Sequence, residues 1–295
     1  MIVNLPKPGK YVVAVSGGVD SICLLNIMAE FSAYDLVVAH FDHGIRTDSR
    51  KDRLLVSRLA QYKQIKFVSQ NGNLGRETSE SLARQARYDF LYRVLEQENA
   101  LAIVTAHHLD DRLETLIINL IRGTGRLGLG SICETATIKR PFLNLTKAEL
   151  KSYAHQHNLS WREDSTNQDC GYLRNYLRLK VIPRLSDEDK AKFIRIMDRQ
   201  VDINIQIDQL IGEWLEEQHP ARLNKKLFNN LSYNESKELI AFWLRYNKLV
   251  NFNHQTIERL TLGAKTKPKG AKLDVYDYNY VVLEKDYLAL RSVER

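Results

Sequence analysis

The hexapeptide Ser16-Gly17-Gly18-Val19-Asp20-Ser21 constrains this chain more than any other feature, because it stands directly between an apolar strand pattern, Tyr11–Val15, and a helical one, Ser21–Phe31. A glycine pair at a strand-to-helix turn lets backbone N–H groups approach an anion, and the helix N-terminus adds its partial positive charge. Ser16 and Ser21 can donate hydroxyl hydrogen bonds to that anion, and Asp20 can hold a magnesium ion against it. The turn contains neither GxxxxGK[ST] nor GxGxxG, so it is not a Walker A loop or a dinucleotide fingerprint. A bare Ser-Gly turn would only cap a helix; strand, hexapeptide and helix in succession predict phosphate binding.

The pattern downstream of this turn alternates short β-branched runs with helices. Strands are expected at Asp35–Phe41, Ile65–Ser69 and Ala102–Ala106, and helices at Ser49–Tyr62, Glu80–Asn99 and Asp110–Arg122. That alternation predicts an α/β fold with a doubly wound, mostly parallel sheet. Thr146 and Glu149 form a capping-box pattern that opens a helix toward His157. A long helical pattern follows from Asp187 to Glu217, then a helix over Leu231–Lys248, a basic stretch Lys265–Lys272, and strand patterns Leu273–Tyr278 and Tyr280–Glu284. The expected organisation is a catalytic domain over 1–185, a helical linker over 186–217 and a small α+β C-terminal domain over 218–295.

Composition narrows the classes. The 295 residues carry a formal charge of +7, which permits a polyanionic partner without requiring one. Cys23, Cys133 and Cys170 are isolated thiols with no CxxC spacing, which argues against a disulfide scaffold and a structural zinc site. No apolar run approaches a membrane span and the N-terminus lacks a secretory apolar core, so the expectation is a cytoplasmic protein without a membrane partner.

Three further clusters lie where ligands bind in open α/β sheets, at the C-terminal strand ends and on the helices beside them. His40-Phe41-Asp42-His43-Gly44-Ile45-Arg46 ends the second strand and can contact a nucleotide or position a base. Arg84 and Arg87 share a helix face and suit phosphate or carboxylate, although a solvated charged face has the same spacing. Thr105-Ala106-His107-His108-Leu109-Asp110-Asp111-Arg112-Leu113-Glu114 follows the fourth strand, with Asp111 and Glu114 on one face. Acids in a first helical turn commonly answer the helix dipole; paired histidines just ahead of them at a strand end point to a site instead.

The hexapeptide resembles the SGGxDS signature of the PP-loop, or N-type ATP pyrophosphatase, superfamily, which implies cleavage of ATP to pyrophosphate and an adenylated intermediate. HxDHGIR, ESLARQARY, TAHHLDDRLET, RGTG, Arg140-Pro141-Phe142-Leu143, Glu163-Asp164 before Asn167, and Arg174-Asn175 with Arg178 and Pro183 are together similar to the ordered motifs of tRNA(Ile)-lysidine synthetases over roughly residues 10–185. The resemblance implies that the wobble cytidine of an isoleucine tRNA with a CAU anticodon is adenylated on its C2 oxygen, and that the ε-amine of L-lysine then displaces AMP. It also implies that Ser16, Gly17, Gly18, Val19, Asp20, Ser21 and His40 bind ATP, with Asp20 as the Mg2+ ligand. His107, Asp111 and Glu114 would form the lysine and cytidine site, Arg87 would steady the anionic intermediate, and Arg174 and Arg178 would contact tRNA or ATP phosphates. Arg112 stands where the family usually has Gln. Some members carry a further C-terminal domain, and a chain of this length has room for the first only, which implies reduced or rearranged tRNA recognition.

The expected chemistry suits these residue types. Two carboxylates can recognise the lysine ammonium, which must lose a proton before attack, and His107 is a candidate general base. A PP-loop tRNA thiolase is the nearest alternative, but it needs paired reactive or cluster-binding cysteines. A synthetase acting on a small acceptor would leave the basic C-terminal region unexplained, and a catalytically silent RNA-binding relative would not need Asp20, Asp111 and Glu114 intact. The sequence leaves the oligomeric state open, a homodimer included.

Overall fold

Strands buried on both faces read as near-continuous apolar runs, and the first unit is built on such runs. The computed structural model describes residues 2–44, 49–73, 75, 78–162, 172–216, 220–250, 252–276 and 278–292. The chain divides into two compact units, Met1–Val201 and Asp202–Arg295.

In the first unit, β1 (Gly9–Ala14), α1 (Val19–Ala29), β2 (Tyr34–Asp42), α2 (Ser49–Tyr62), β3 (Lys66–Asn71), α3 (Glu80–Gln97), β4 (Ala102–Val104) and α4 (Leu109–Arg122) alternate as expected. They are followed by α5 (Arg126–Leu129), β5 (Ile138–Lys139), α6 (Lys147–Gln156), α7 (Leu173–Tyr176), a π-helical turn Leu177–Val181, a 3-10 turn Ile182–Arg184, and the start of α8 (Asp187–Glu216). The sheet is parallel throughout in the order β3-β2-β1-β4-β5. Alternation along β1 divides the core. Tyr11, Val13 and Val15 pack with α1, α2 and α6, whereas Val12 packs with Phe90, Leu91 and Val94 of α3. The chain winds from β1 outward to β3 and then crosses to β4 on the other side, so the order reverses between β1 and β4. That switch point is where an open α/β sheet holds its ligand.

The second unit pairs β6 (Arg222–Asn224), α9 (Lys225–Asn230), α10 (Tyr233–Tyr246), α11 (His254–Thr266), β7 (Lys272–Asp274), β8 (Asn279–Leu283) and β9 (Tyr287–Ser292). Its antiparallel sheet has the order β6-β9-β8-β7. Gly263 allows α11 to lie close on β7, since a Cβ there would come within 2.7 Å of Leu273. The strand expected at Leu273–Tyr278 forms as the shorter β7, that expected at Tyr280–Glu284 forms as β8 shifted by one residue, and the helix expected over Leu231–Lys248 forms as α10. The basic stretch Lys265–Lys272 is not one solvated face. The Lys265 ammonium donates to the carbonyls of Phe228 at 3.3 Å and Leu231 at 2.7 Å, closing the C-terminal end of α9.

Candidate active site at the sheet switch point

The loop after β1 is shaped before any ligand arrives. Gly17 has φ +98°, a conformation that favours glycine, and a Cβ there would sit 3.4 Å from the Cβ of Asp52 on α2. The Gly17 carbonyl accepts from the Arg162 amide at 3.0 Å, and the Arg162 guanidinium pairs with Asp52 at 2.5 Å. Ser21 is buried, donates to the Gly18 carbonyl at 2.9 Å, and accepts from the Ser16 amide at 3.2 Å. Its hydroxyl therefore holds the loop together, a different placement from the free anion donor expected of it. Val19 points into the core, so only its backbone faces the loop. The N-cap Gly18 supplies no side-chain cap to α1, which leaves the first amides of that helix available to an anion.

A cavity of about 510 Å3 opens at the C-terminal ends of β1, β2 and β4, with Ser16, Asp20, His40, Arg87, His107 and Asp111 on its wall. Asp20 Oδ2 is held by the Lys147 ammonium at 2.6 Å, while Oδ1 is buried with no hydrogen-bond partner. Mg2+ is commonly held by one or two carboxylates together with substrate phosphates. No group of three or more His, Cys, Asp or Glu among the described residues could hold a metal alone, so Asp20 fits Mg2+ as a partner to bound phosphates. Lys147 is the missed member of this corner. It starts α6, where its amide donates to Asp110 Oδ2 at 2.8 Å, and nothing in its local sequence points to an acid 127 positions away.

His40 is buried and its Nδ1 lies 2.8 Å from the Val15 carbonyl, which fixes the proton on Nδ1 and leaves Nε2 as a neutral acceptor. Burial holds its pKa below the usual histidine value. His107 Nδ1 bonds Thr105 Oγ1 at 2.8 Å, and burial, with the charges of Arg140 and Arg87 adding against Asp111, pushes its pKa down to about 4. His107 is therefore uncharged at neutral pH.

Asp111 serves two partners. Its Oδ2 accepts from the His108 amide at 3.1 Å, which caps α4, and its Oδ1 faces Arg178 Nη2 at 3.3 Å. Burial alone would raise its pKa; the facing His108 and His107, the His108 amide and Arg178 outweigh burial and hold the carboxyl low. Glu114 lies deeper and is absent from the cavity wall, with 1% exposure. Arg178 grips it as a fork, Nε to Oε1 at 2.6 Å and Nη2 to Oε2 at 2.8 Å, and Arg174 Nε stands 3.7 Å from Oε2. Burial raises the Glu114 carboxyl and the guanidinium opposes that rise. The Asp111–Glu114 face is thus present as the spacing implied, but one guanidinium already spans it. Arg174 does not reach the cavity wall.

Arg87 lies on the wall beside Tyr88, with its guanidinium 5.5 Å from that ring and Arg84 over the same ring at 4.9 Å. Arg112 faces away from the cavity. It is buried and bonds Asp198 Oδ1 at 2.7 Å and Asn144 Oδ1 at 3.1 Å, tying α4 to α8. Cys23 is buried, its pKa pushed up to about 12 chiefly by burial, and its thiol donates to the Leu150 carbonyl. Ile45, Arg46, Glu163, Asp164, Asn167 and Cys170 lie outside the described residues.

An anion loop and an acidic helix turn facing one cavity across the switch point of a parallel sheet define a nucleotide-binding α/β domain. Residues 1–185 match the PP-loop domain family, and the chain belongs to it. It is 39% identical over 196 residues to a tRNA(Ile)-lysidine synthase of Thermus thermophilus, covering 64% of this chain and 38% of that protein. A namesake from Actinobacillus pleuropneumoniae is 32% identical over 252 residues, covering 81% of this chain and 59% of that protein. The chain thus matches less than two thirds of the length of these relatives. A U34-tRNA thiolase from Methanococcus maripaludis that holds a [4Fe-4S] cluster shares the fold, with TM-score 0.56 and 18% identity over 67% of this chain and 74% of that one. No helix among the described residues is long and apolar enough to cross a membrane.

Proposed function

We propose that this chain ligates L-lysine to C2 of the wobble cytidine of an isoleucine tRNA with a CAU anticodon, using ATP and releasing AMP and pyrophosphate, in the cytoplasm. The observation that carries the reading is the low-pKa carboxylate of Asp111 on the same cavity wall as the phosphate loop, which puts an ammonium-binding group within reach of an adenylated acceptor. The names of the relatives, each a tRNA(Ile)-lysidine synthase, support the same chemistry.

In this reading the amides at the start of α1 and the Ser16–Gly18 loop cradle the phosphates. Mg2+, when bound at Asp20, neutralises phosphate charge. Arg87 faces the negative charge of the adenylated cytidine. The lysine amine enters against Asp111, and the Arg178 guanidinium gives way to it there. His107, uncharged and beside Asp111, accepts the ammonium proton; the nitrogen then bonds to C2 as the bond from C2 to the AMP oxygen breaks. The second unit, within 218–295, contributes tRNA contacts through cations such as Lys267 and Lys269. A thiolase is disfavoured by the inert, buried Cys23. The test is tRNA-dependent release of pyrophosphate followed by lysine-dependent release of AMP, both abolished in Asp20→Ala with the fold intact by circular dichroism; wild-type release in that variant would remove Asp20 from the phosphate site.

A further inference from the structure

The segment that sends Arg174 and Arg178 toward Glu114 has an opposite, solvent-facing side that the chemistry above does not use. Tyr172, Tyr176 and Lys180 are spaced four apart, so they fall along one side of the helical run. All three are exposed, Tyr172 at 67% and Tyr176 at 48%. Leu173 and Leu179 are exposed with them, while Leu177 and Ile182 are buried. The run passes through a π-helical turn at Leu177–Val181, a distortion that is frequent at functional sites.

Charge on this side has one sign. Residues 172–186 contain no acid, and besides Arg174 and Arg178, which turn toward Glu114, they carry Lys180 and Arg184, both exposed. The end of α4 and the loop after it, residues 115–133, contain Arg122 and Arg126 and no acid either. These two stretches pack together, since α4 meets α7, the π turn and the 3-10 turn. The acids that follow at the start of α8, Asp187, Glu188 and Asp189, pair with Lys190 and Lys192. Exposed aromatic faces one turn apart, with cations beside them, are what unpaired bases on a phosphate backbone require: stacking planes with charge alongside. A protein partner fits less well, because lysine is depleted at the cores of protein interfaces.

We propose that the Tyr172–Tyr176–Lys180 ridge, with Arg122 and Arg184 on the adjoining elements, is a stacking platform for the unpaired bases of an RNA loop. It holds the loop so that one nucleotide reaches the cavity beside Arg178. The inference rests on the tRNA reading above and adds the surface that delivers the substrate.

The experiment measures binding of the full chain to a stem-loop RNA with a cytidine in its loop, by fluorescence anisotropy across a salt series. Tyr172→Ala with Tyr176→Ala should weaken binding by roughly 5- to 150-fold for each base that loses its stacking partner, leave the salt slope unchanged, and leave ATP affinity unchanged. Tyr172→Phe with Tyr176→Phe keeps the rings and should retain the affinity. Lys180→Ala with Arg184→Ala should flatten the slope of log affinity against log salt by about 0.7 per lost phosphate contact. Unchanged RNA affinity in the alanine pair overturns the platform, as does equal damage from the phenylalanine pair. So does a shift from dimer to monomer by sedimentation with RNA affinity intact, which would make the ridge an interface between copies. Wild-type chain that binds the stem-loop through these tyrosines but adds no lysine to tRNA would remove the ligase reading and leave the platform standing.

Discussion

Arg178→Met tests the pair at the centre of the site. The substitution keeps an apolar stem but leaves the Glu114 carboxylate, 1% exposed, facing the more distant Arg174 Nε at 3.7 Å. Removing one partner of a buried ion pair costs about 3–5 kcal/mol. The Arg178 side chain is 32% exposed, so solvent screening brings the expected loss to about 2–3 kcal/mol. For a unit the size of Met1–Val201 each kcal/mol moves Tm by about 2–4 °C, giving a drop of about 4–12 °C. Glu114→Gln should cost less, about 1–2 kcal/mol, because the guanidinium it strands reaches water and keeps Asp111. The double variant should be more stable than the sum of the two losses allows. The pH dependence carries a sign. Without Arg178 the Glu114 carboxyl, raised by burial, has a folded pKa above its ordinary 4.5. A raised carboxyl is protonated in the fold at low pH at little cost, and the penalty appears as pH rises through the folded pKa. The Tm gap between Arg178→Met and wild type, followed by calorimetry, should therefore widen as pH rises above the ordinary carboxyl value of 4.5. An unchanged Tm, or a gap independent of pH, would refute the buried fork as described.

Asp111→Asn should raise the KM for lysine by about 10- to 150-fold, the equivalent of one charge-assisted hydrogen bond at about 1.5–3 kcal/mol. The amide oxygen still accepts from the His108 amide, so Tm should hardly move; equal lysine KM values in variant and wild type would take Asp111 out of the lysine site. Lys265→Ala should lower the melting temperature of the second unit by exposing the α9 carbonyls it caps, whereas Lys267→Ala with Lys269→Ala should leave melting alone and weaken tRNA binding at low salt. The reverse pattern, read by calorimetry and filter binding, would exchange their roles.

The centre of the first unit was legible because β1, β2 and β4 are buried apolar runs and the turns that follow β1 and β4 carry their own chemistry. SGGVDS between β1 and α1, and HHLDD between β4 and α4, are local patterns, and local patterns place the phosphate loop and Asp111 on one sheet edge. The contacts that decide how those side chains are used are not local. Glu114 and Arg178 are 64 positions apart and Asp20 and Lys147 are 127 apart, and no periodicity encodes such pairs. Ser21 has the right position for an anion donor, yet its hydroxyl closes the loop on itself. In the second unit, β6 has three residues and its strand character comes from pairing with β9 rather than from propensity. The helix α11 was hidden by its mixed sequence, His254–Thr266, whose apolar face is set by contact with β7 and α10. Lys265 looked like part of a basic run and is instead a cap, a role visible only once the end of α9 is in place.

The most direct test of the account is the mass of the wobble nucleoside in an isoleucine tRNA with a CAU anticodon after incubation with the chain, ATP, Mg2+ and L-lysine. The product should be a cytidine heavier by lysine less water, formed with one AMP and one pyrophosphate per modified tRNA and absent when lysine is omitted. An unmodified cytidine alongside tRNA-dependent pyrophosphate release, or a nucleoside that gains sulfur in place of oxygen, would contradict it.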